Sequence, residues 1–146
     1  MPLLSDDELA NESRCMFRRS ARPVLASPIH HAIRNGFRLV DRVLPGVGCE
    51  ATDGESIWFR WTADPRELGR RVTHGHAHAL LVRSKLEHNE SDAVLLTAEM
   101  ALPREVLAKI ATVEDACDLV KWAPAWLVEA QYRRRRSEIE ENFLLI

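Results

Sequence analysis

No stretch of this sequence is apolar for long enough to cross a bilayer. The longest runs, such as Ala77 to Val82, fall far short of the roughly 20 residues a spanning helix needs. The first twelve residues carry Asp6, Asp7, Glu8 and Glu12, where a secretory leader would have a basic start and an apolar stretch. A cytoplasmic location away from membranes is therefore expected. Cysteine is sparse and unpaired. Cys15, Cys49 and Cys117 are three, widely spaced and without a CxxC pair, which reads as reduced, mostly buried thiols. Net charge is also lacking, at −2 overall, so there is no bulk pull toward nucleic acid or membrane. No internal repeat or low-complexity tract is present.

What is there suits one globular domain. The chain has 146 residues and is 46% hydrophobic, enough to bury a core without a disulfide framework. Charge is uneven along it. Seven arginines between Arg14 and Arg42 face the single acid Asp41, a second basic block runs from Arg133 to Arg136, and an acidic-apolar tail follows from Glu138 to Ile146.

Local signals predict the elements in order. Residues 1–22 read as a partly ordered arm. Ser27-Pro28 is a helix start, and Gly36 stops a short helix over Ile29 to Asn35. Phe37 to Val43 alternates apolar and basic residues, as a half-wet strand does. Asp53-Gly54 is a hairpin turn before the strand Ile57 to Thr62, with Ile57, Phe59 and Trp61 on one side and Trp58 and Arg60 on the other. Asp64-Pro65 followed by Glu67 opens a helix reaching about Glu87. Further helices are expected over Ser91 to Leu102, Pro103 to Ile110, Thr112 to Val120 and Pro124 to Arg136. Strands followed by helices imply an α+β fold in one domain, 23–136, with its helical C-terminal part over 112–136 and a tail over 137–146.

The chemistry-bearing run is Thr73-His74-Gly75-His76-Ala77-His78. Residues four apart share a helix face, so His74 and His78 aim two imidazoles at one point, as a zinc ion requires. His76 lies roughly 200° around the helix from His74 and cannot join them.

This run, with Ala79-Leu80-Leu81 after it, resembles the A-H-E-x-G-H-x-L-L helix of the ImmA/IrrE family of zinc metallopeptidases. The stretch Asp92-Ala93-Val94-Leu95-Leu96-Thr97-Ala98-Glu99-Met100-Ala101-Leu102-Pro103 resembles the helix that follows it in that family, E-A-N-x-F-A-A-x-L-L-M-P. The likeness runs over residues 23 to 136. It implies a small metallopeptidase-like α+β domain in which His74, His78 and Asp92 bind zinc, with His88 and Glu90 nearby as substitutes for the shorter Asp92. It also exposes a gap. Members of the family use the glutamate after the first histidine as the base that deprotonates the attacking water, and that position is Gly75. A register shifted by two residues, starting at His76, puts Ala77 at the base position and Leu80 at a ligand position, so the base is missing in either register.

The resemblance thus implies a pseudo-peptidase: a regulatory protein, with or without zinc, that binds a protein partner such as a transcription regulator or a second copy of itself. Arg133, Arg134, Arg135, Arg136 and Phe143 are candidate partner contacts. Two alternatives stand beside it. One is an active zinc peptidase cleaving a repressor-type protein with an unusual base, for which His76, Glu87, Glu90 and Glu99 are near in sequence. The other is a helix-turn-helix regulator in which residues 112–136 meet nucleic acid. Burial of Trp122 and Trp126 is expected if these last helices cap the domain instead.

Overall fold

The structure, a computed structural model, describes Val24, residues 27–42, residues 48–103, Val106 and residues 109–144. The expected arm over 1–22 lies outside the described residues, as do the side chains of Arg135 and of residues 138–144. Five helices and a three-stranded sheet make up this part, a mixed α+β arrangement.

Helix α1, Pro28–Arg34, starts where Ser27 accepts a hydrogen bond from the His30 amide at 3.4 Å, with Pro28 in the first turn. It stops just before Gly36, whose φ of +85° is open to glycine at little cost. Strands β1 (Arg38–Asp41), β2 (Glu50–Thr52) and β3 (Ser56–Phe59) follow. The sheet order is β1-β3-β2, with β1 parallel and β2 antiparallel to β3. The β2–β3 turn is closed by Asp53, whose Oδ1 accepts from the amides of Glu55 and Ser56 at 2.9 and 2.8 Å. Ile57 and Phe59 of β3 are buried against what comes next.

That next element organises the molecule. Helix α2, Pro65–Arg83, opens as expected. Asp64 caps it by accepting from the amides of Arg66 and Glu67 at 3.0 and 3.4 Å, and Pro65 occupies the first turn. From Val72 to Ala77 every residue is buried, because α2 runs between two packed clusters. On one side Val72 and Ala79 join Ala32, Phe37, Ile57 and Phe59. On the other, Ala77 and Leu81 join Ala93, Leu96 and Met100 of α3 (Glu90–Ala101), together with Ala116 of α4 (Val113–Leu119) and Leu127 and Val128 of α5 (Ala125–Leu144).

Several boundaries differ from the sequence reading. Helix α2 ends at Arg83, not Glu87, because the chain turns through Lys85 at φ 57° before Asn89 caps α3. Strand β1 ends at Asp41, and residues 43–47 lie outside the described residues. Strand β3 ends at Phe59, so Trp61 does not continue its buried face and is 58% exposed. The helix expected over Pro103 to Ile110 falls partly on residues outside the described set. Helix α4 has its Thr112 cap, accepting from the Asp115 amide at 3.1 Å. Helix α5 continues to Leu144, past Arg136.

The two tryptophans near α5 part company. Trp122 is buried and donates its indole N–H to the Val24 carbonyl at 3.0 Å, whereas Trp126 is 59% exposed. Cys49 and Cys117 are half-buried, more open than the sequence suggested, and Cys15 lies outside the described residues. Among the described residues no helix is long and apolar enough to cross a membrane.

Candidate metal site

His74 and His78 do face one point, and the residue that meets them there is Glu90, at the start of α3. The His74 Nε2 atom lies 2.5 Å from Glu90 Oε1 and 3.2 Å from His78 Nε2, and His78 Nε2 lies 3.0 Å from Glu90 Oε2. These three side chains each offer one atom to a set within 4.8 Å of one another, a cluster that could hold a metal ion. His74 is buried, His78 half-buried and Glu90 exposed, so the site sits at the surface end of the α2–α3 seam.

Asp92, the expected third ligand, is used elsewhere. It forms a reciprocal cap with Asn89: the Asp92 carboxylate accepts from the Asn89 amide at 3.0 Å, and the Asn89 side chain accepts from the Asp92 amide at 2.9 Å. Capping the first turn of α3 in this way leaves Glu90, one residue into the helix, as the carboxylate that reaches back to α2.

The hydrogen bonds behind the two imidazoles decide which nitrogen carries the proton. Thr97 Oγ1 donates to the Ala93 carbonyl at 2.7 Å, so toward His74 Nδ1, 3.3 Å away, it presents an acceptor. In neutral His74 the proton is therefore on Nδ1 and the lone pair on Nε2. A second relay serves His78. The Leu86 carbonyl accepts from His88 Nδ1 at 3.1 Å, which makes Nε2 of neutral His88 an acceptor, and that acceptor takes the Nδ1 proton of His78 at 3.0 Å. His78 Nε2 is again left with a lone pair. Two relays, each ending on a backbone carbonyl, turn both Nε2 lone pairs toward the Glu90 carboxylate. In these tautomers three acceptors converge, so a cation, either a proton or a metal ion, is needed between them.

Burial pushes the His74 pKa down, more strongly than the neighbouring Glu90 carboxylate pulls it up, so the ring stays neutral. Burial also pushes the Glu90 carboxyl up, but the positive charge and N–H donation of His74 and His78, when those rings are protonated, outweigh it and hold the group below its usual value. A neutral imidazole, as at His74, is the form in which histidine binds metal.

A residue that the sequence reading did not single out completes the surroundings. Glu50, at the start of β2, brings Oε1 to 3.5 Å from His74 Nε2 from the sheet side. Its Oε2 atom is buried and has no hydrogen-bond partner. Burial raises its pKa, an effect that the charge of Arg70 partly offsets. No local sequence signal marks Glu50, because strand pairing and the β3–α2 contact bring it there from 24 residues away in sequence.

The other residues considered lie apart from the site. His76 is 1% exposed on the opposite side of α2. Its Nε2 meets Asn35 Nδ2 at 3.2 Å, its ring packs against Phe37 and His31, and burial drives its pKa down to about 3. Glu99 is buried and paired with Arg134 Nη2 at 3.4 Å. Arg134 also donates to Gln131 Oε1 at 2.6 Å, and Arg136 donates to the Ile110 carbonyl at 3.1 Å and to the Tyr132 hydroxyl at 3.2 Å. Two of the four candidate arginines are thus bound within the chain, Arg133 is exposed, and the side chains of Arg135 and Phe143 lie outside the described residues.

Gly75 sits where α2 crosses β3. A Cβ atom on it would lie 2.7 Å from Ile57 Cγ2 and 3.6 Å from Glu50 Cβ. There is no room for a side chain at that position while the sheet stays where it is.

No protein-family model, curated protein or solved structure matches this chain.

Proposed function

We propose that this protein is a metallopeptidase-like domain that binds a divalent metal without hydrolysing peptides, and that it works by engaging a protein partner. The observation that carries the reading is the pairing, on one helix, of two metal-directed imidazoles with a glycine where the base would stand. His74, His78 and Glu90 are the zinc ligands of choice: two nitrogens and one carboxylate oxygen are donors zinc accepts readily. Bound there, zinc supplies Lewis acidity and positive charge. This chain's residues supply orientation, through Thr97 and His88, but the α2 helix places no carboxylate where the resembling family has its base.

A partner surface is supported by the apolar side chains left in solvent. Trp61 and Trp126 are 58% and 59% exposed, and Leu119 is 56% exposed. Tryptophan supplies much binding energy when a partner covers it. A transcription regulator is the partner class that the family resemblance suggests, and that step is analogy.

The direct test measures zinc in the purified protein and in His74→Ala/His78→Ala, together with hydrolysis of a panel of unfolded polypeptides by the zinc-loaded wild type. About one zinc per chain in the wild type, none in the variant and no cleavage support the reading. A wild type that binds no zinc ends the metal part of it, and zinc-dependent cleavage ends the non-catalytic part.

A further inference from the structure

Outside the His74–His78–Glu90 cluster, one more carboxylate approaches His74 Nε2, that of Glu50. Around that atom stand His78 Nε2 at 3.2 Å, Glu90 Oε1 at 2.5 Å and Glu50 Oε1 at 3.5 Å. The carboxylates come from opposite sides, Glu90 from the first turn of α3 and Glu50 from the edge of the sheet.

Among the described residues Glu50 forms no ion pair with a guanidinium, although the charges of Arg70 and Arg71 act on it. The nearest guanidinium groups are committed elsewhere: Arg70 donates through Nε and Nη2 to Glu67 at 3.0 and 2.7 Å, and Arg71 donates to Glu67 and to the Arg60 carbonyl. One Glu50 oxygen is buried with no partner. A buried carboxylate oxygen without a hydrogen bond is costly, and a metal ion removes that cost directly.

Gly75 is what brings the strand so close. With no side chain there, Ile57 and Glu50 press against α2, and the Glu50 Cβ lies 3.6 Å from where a residue-75 Cβ would be. The glycine that deprives the helix of its carboxylate therefore admits one from the sheet.

We propose that Glu50 is the fourth protein ligand of the metal site, joining His74, His78 and Glu90. Two imidazoles and two carboxylates make a set whose charge balances a divalent ion. With four protein donors the site is closed. Structural zinc sites are of this closed kind, whereas catalytic sites keep a position open for water or substrate. The inference rests on the metal reading above and deepens it, because closure would leave no position at the metal for an attacking water.

The test uses the full chain loaded with cobalt(II), whose visible spectrum reports coordination, and azide as a small competing ligand. The wild-type spectrum is expected to stay unchanged on azide addition, and X-ray absorption of the zinc form is expected to show four protein donors. Glu50→Gln keeps the shape and removes the charge. It is expected to bind zinc at least about ten-fold more weakly and to gain an azide-dependent spectral change. The wild-type measurements need no substitution, so they decide the matter even if the variant folds poorly. A wild type that binds metal and responds to azide overturns closure while leaving the metal reading intact. A wild type that binds neither zinc nor cobalt overturns both. Peptide hydrolysis by the zinc form that is lost in Glu50→Gln, with zinc affinity unchanged, overturns the ligand role and makes Glu50 a base.

Discussion

Gly75 of helix α2 and Ile57 of strand β3 are packed so closely that a single methyl group on the glycine would come within 2.7 Å of the isoleucine Cγ2. Both are buried, and Ile57 is 0% exposed. The contact gives a physical reason for glycine in mid-helix, where it costs about 1 kcal/mol relative to alanine. Gly75→Ala is expected to lose more to overpacking, about 1–3 kcal/mol, than it gains in helix propensity. Urea denaturation at fixed pH measures the difference. A Gly75→Ala protein more stable than the wild type would show that the sheet yields freely. Gly75→Glu is expected to destabilise further and to create no peptidase, since its side chain has no path past Ile57.

The relays behind the imidazoles carry a second prediction. His88→Ala removes the acceptor that keeps the His78 proton on Nδ1, and Thr97→Val removes the one facing His74. Each is expected to weaken zinc binding by about 10–100-fold without removing a ligand. Competition against a chromophoric chelator reads this out. Unchanged affinity in both variants would mean that the rings are oriented by packing alone.

His76 sets a pH dependence. Its folded pKa is driven down to about 3 by burial, against about 6.5 for an unfolded histidine. Between those values the unfolded chain binds a proton that the folded chain refuses, so this group's contribution to stability is complete above about pH 6.5 and falls by about 1.4 kcal/mol per pH unit toward pH 3. His76→Gln removes the titration and is expected to flatten the acid limb of a plot of stability against pH. An acid limb identical in slope to that of the wild type would assign the loss to other groups.

The C-terminal arginines yield a fourth expectation. Arg136 spends its guanidinium on the Ile110 carbonyl and the Tyr132 hydroxyl. Arg136→Ala is expected to cost about 1 kcal/mol of stability. Duplex DNA affinity is expected to be weak in both proteins. Tight DNA binding by the wild type with a steep salt dependence, lost in Arg136→Ala, would instead favour the helix-turn-helix alternative.

Much of the fold was legible because its punctuation is local. Ser27-Pro28, Asp64-Pro65 and Thr112 start helices through contacts within three residues, and all three do so in the structure. The histidine pair was legible for the same reason, four residues being one turn. By analogy of position the sequence points to Asp92 as the third member of the cluster, with His88 and Glu90 as substitutes; Asn89 and Asp92 cap each other, and Glu90 meets the two histidines. That reciprocal cap is itself a local pattern, and it was the available signal. Glu50 was out of reach: its position depends on a strand register and on the helix–sheet distance, and neither is written in neighbouring residues. Trp126 misled because a large apolar side chain reads as core, whereas its place at the start of α5 leaves it in solvent.

Helix α2 separates two packed clusters, one with the sheet and α1, the other with α3, α4 and α5. An ion held by Glu50 on one flank and Glu90 on the other would act as a rivet through that partition. Neither cluster would need to repack when it left; what would change is how firmly one half grips the other. Loss of the ion would then show as a looser α2–α3 seam, not as a change within either cluster.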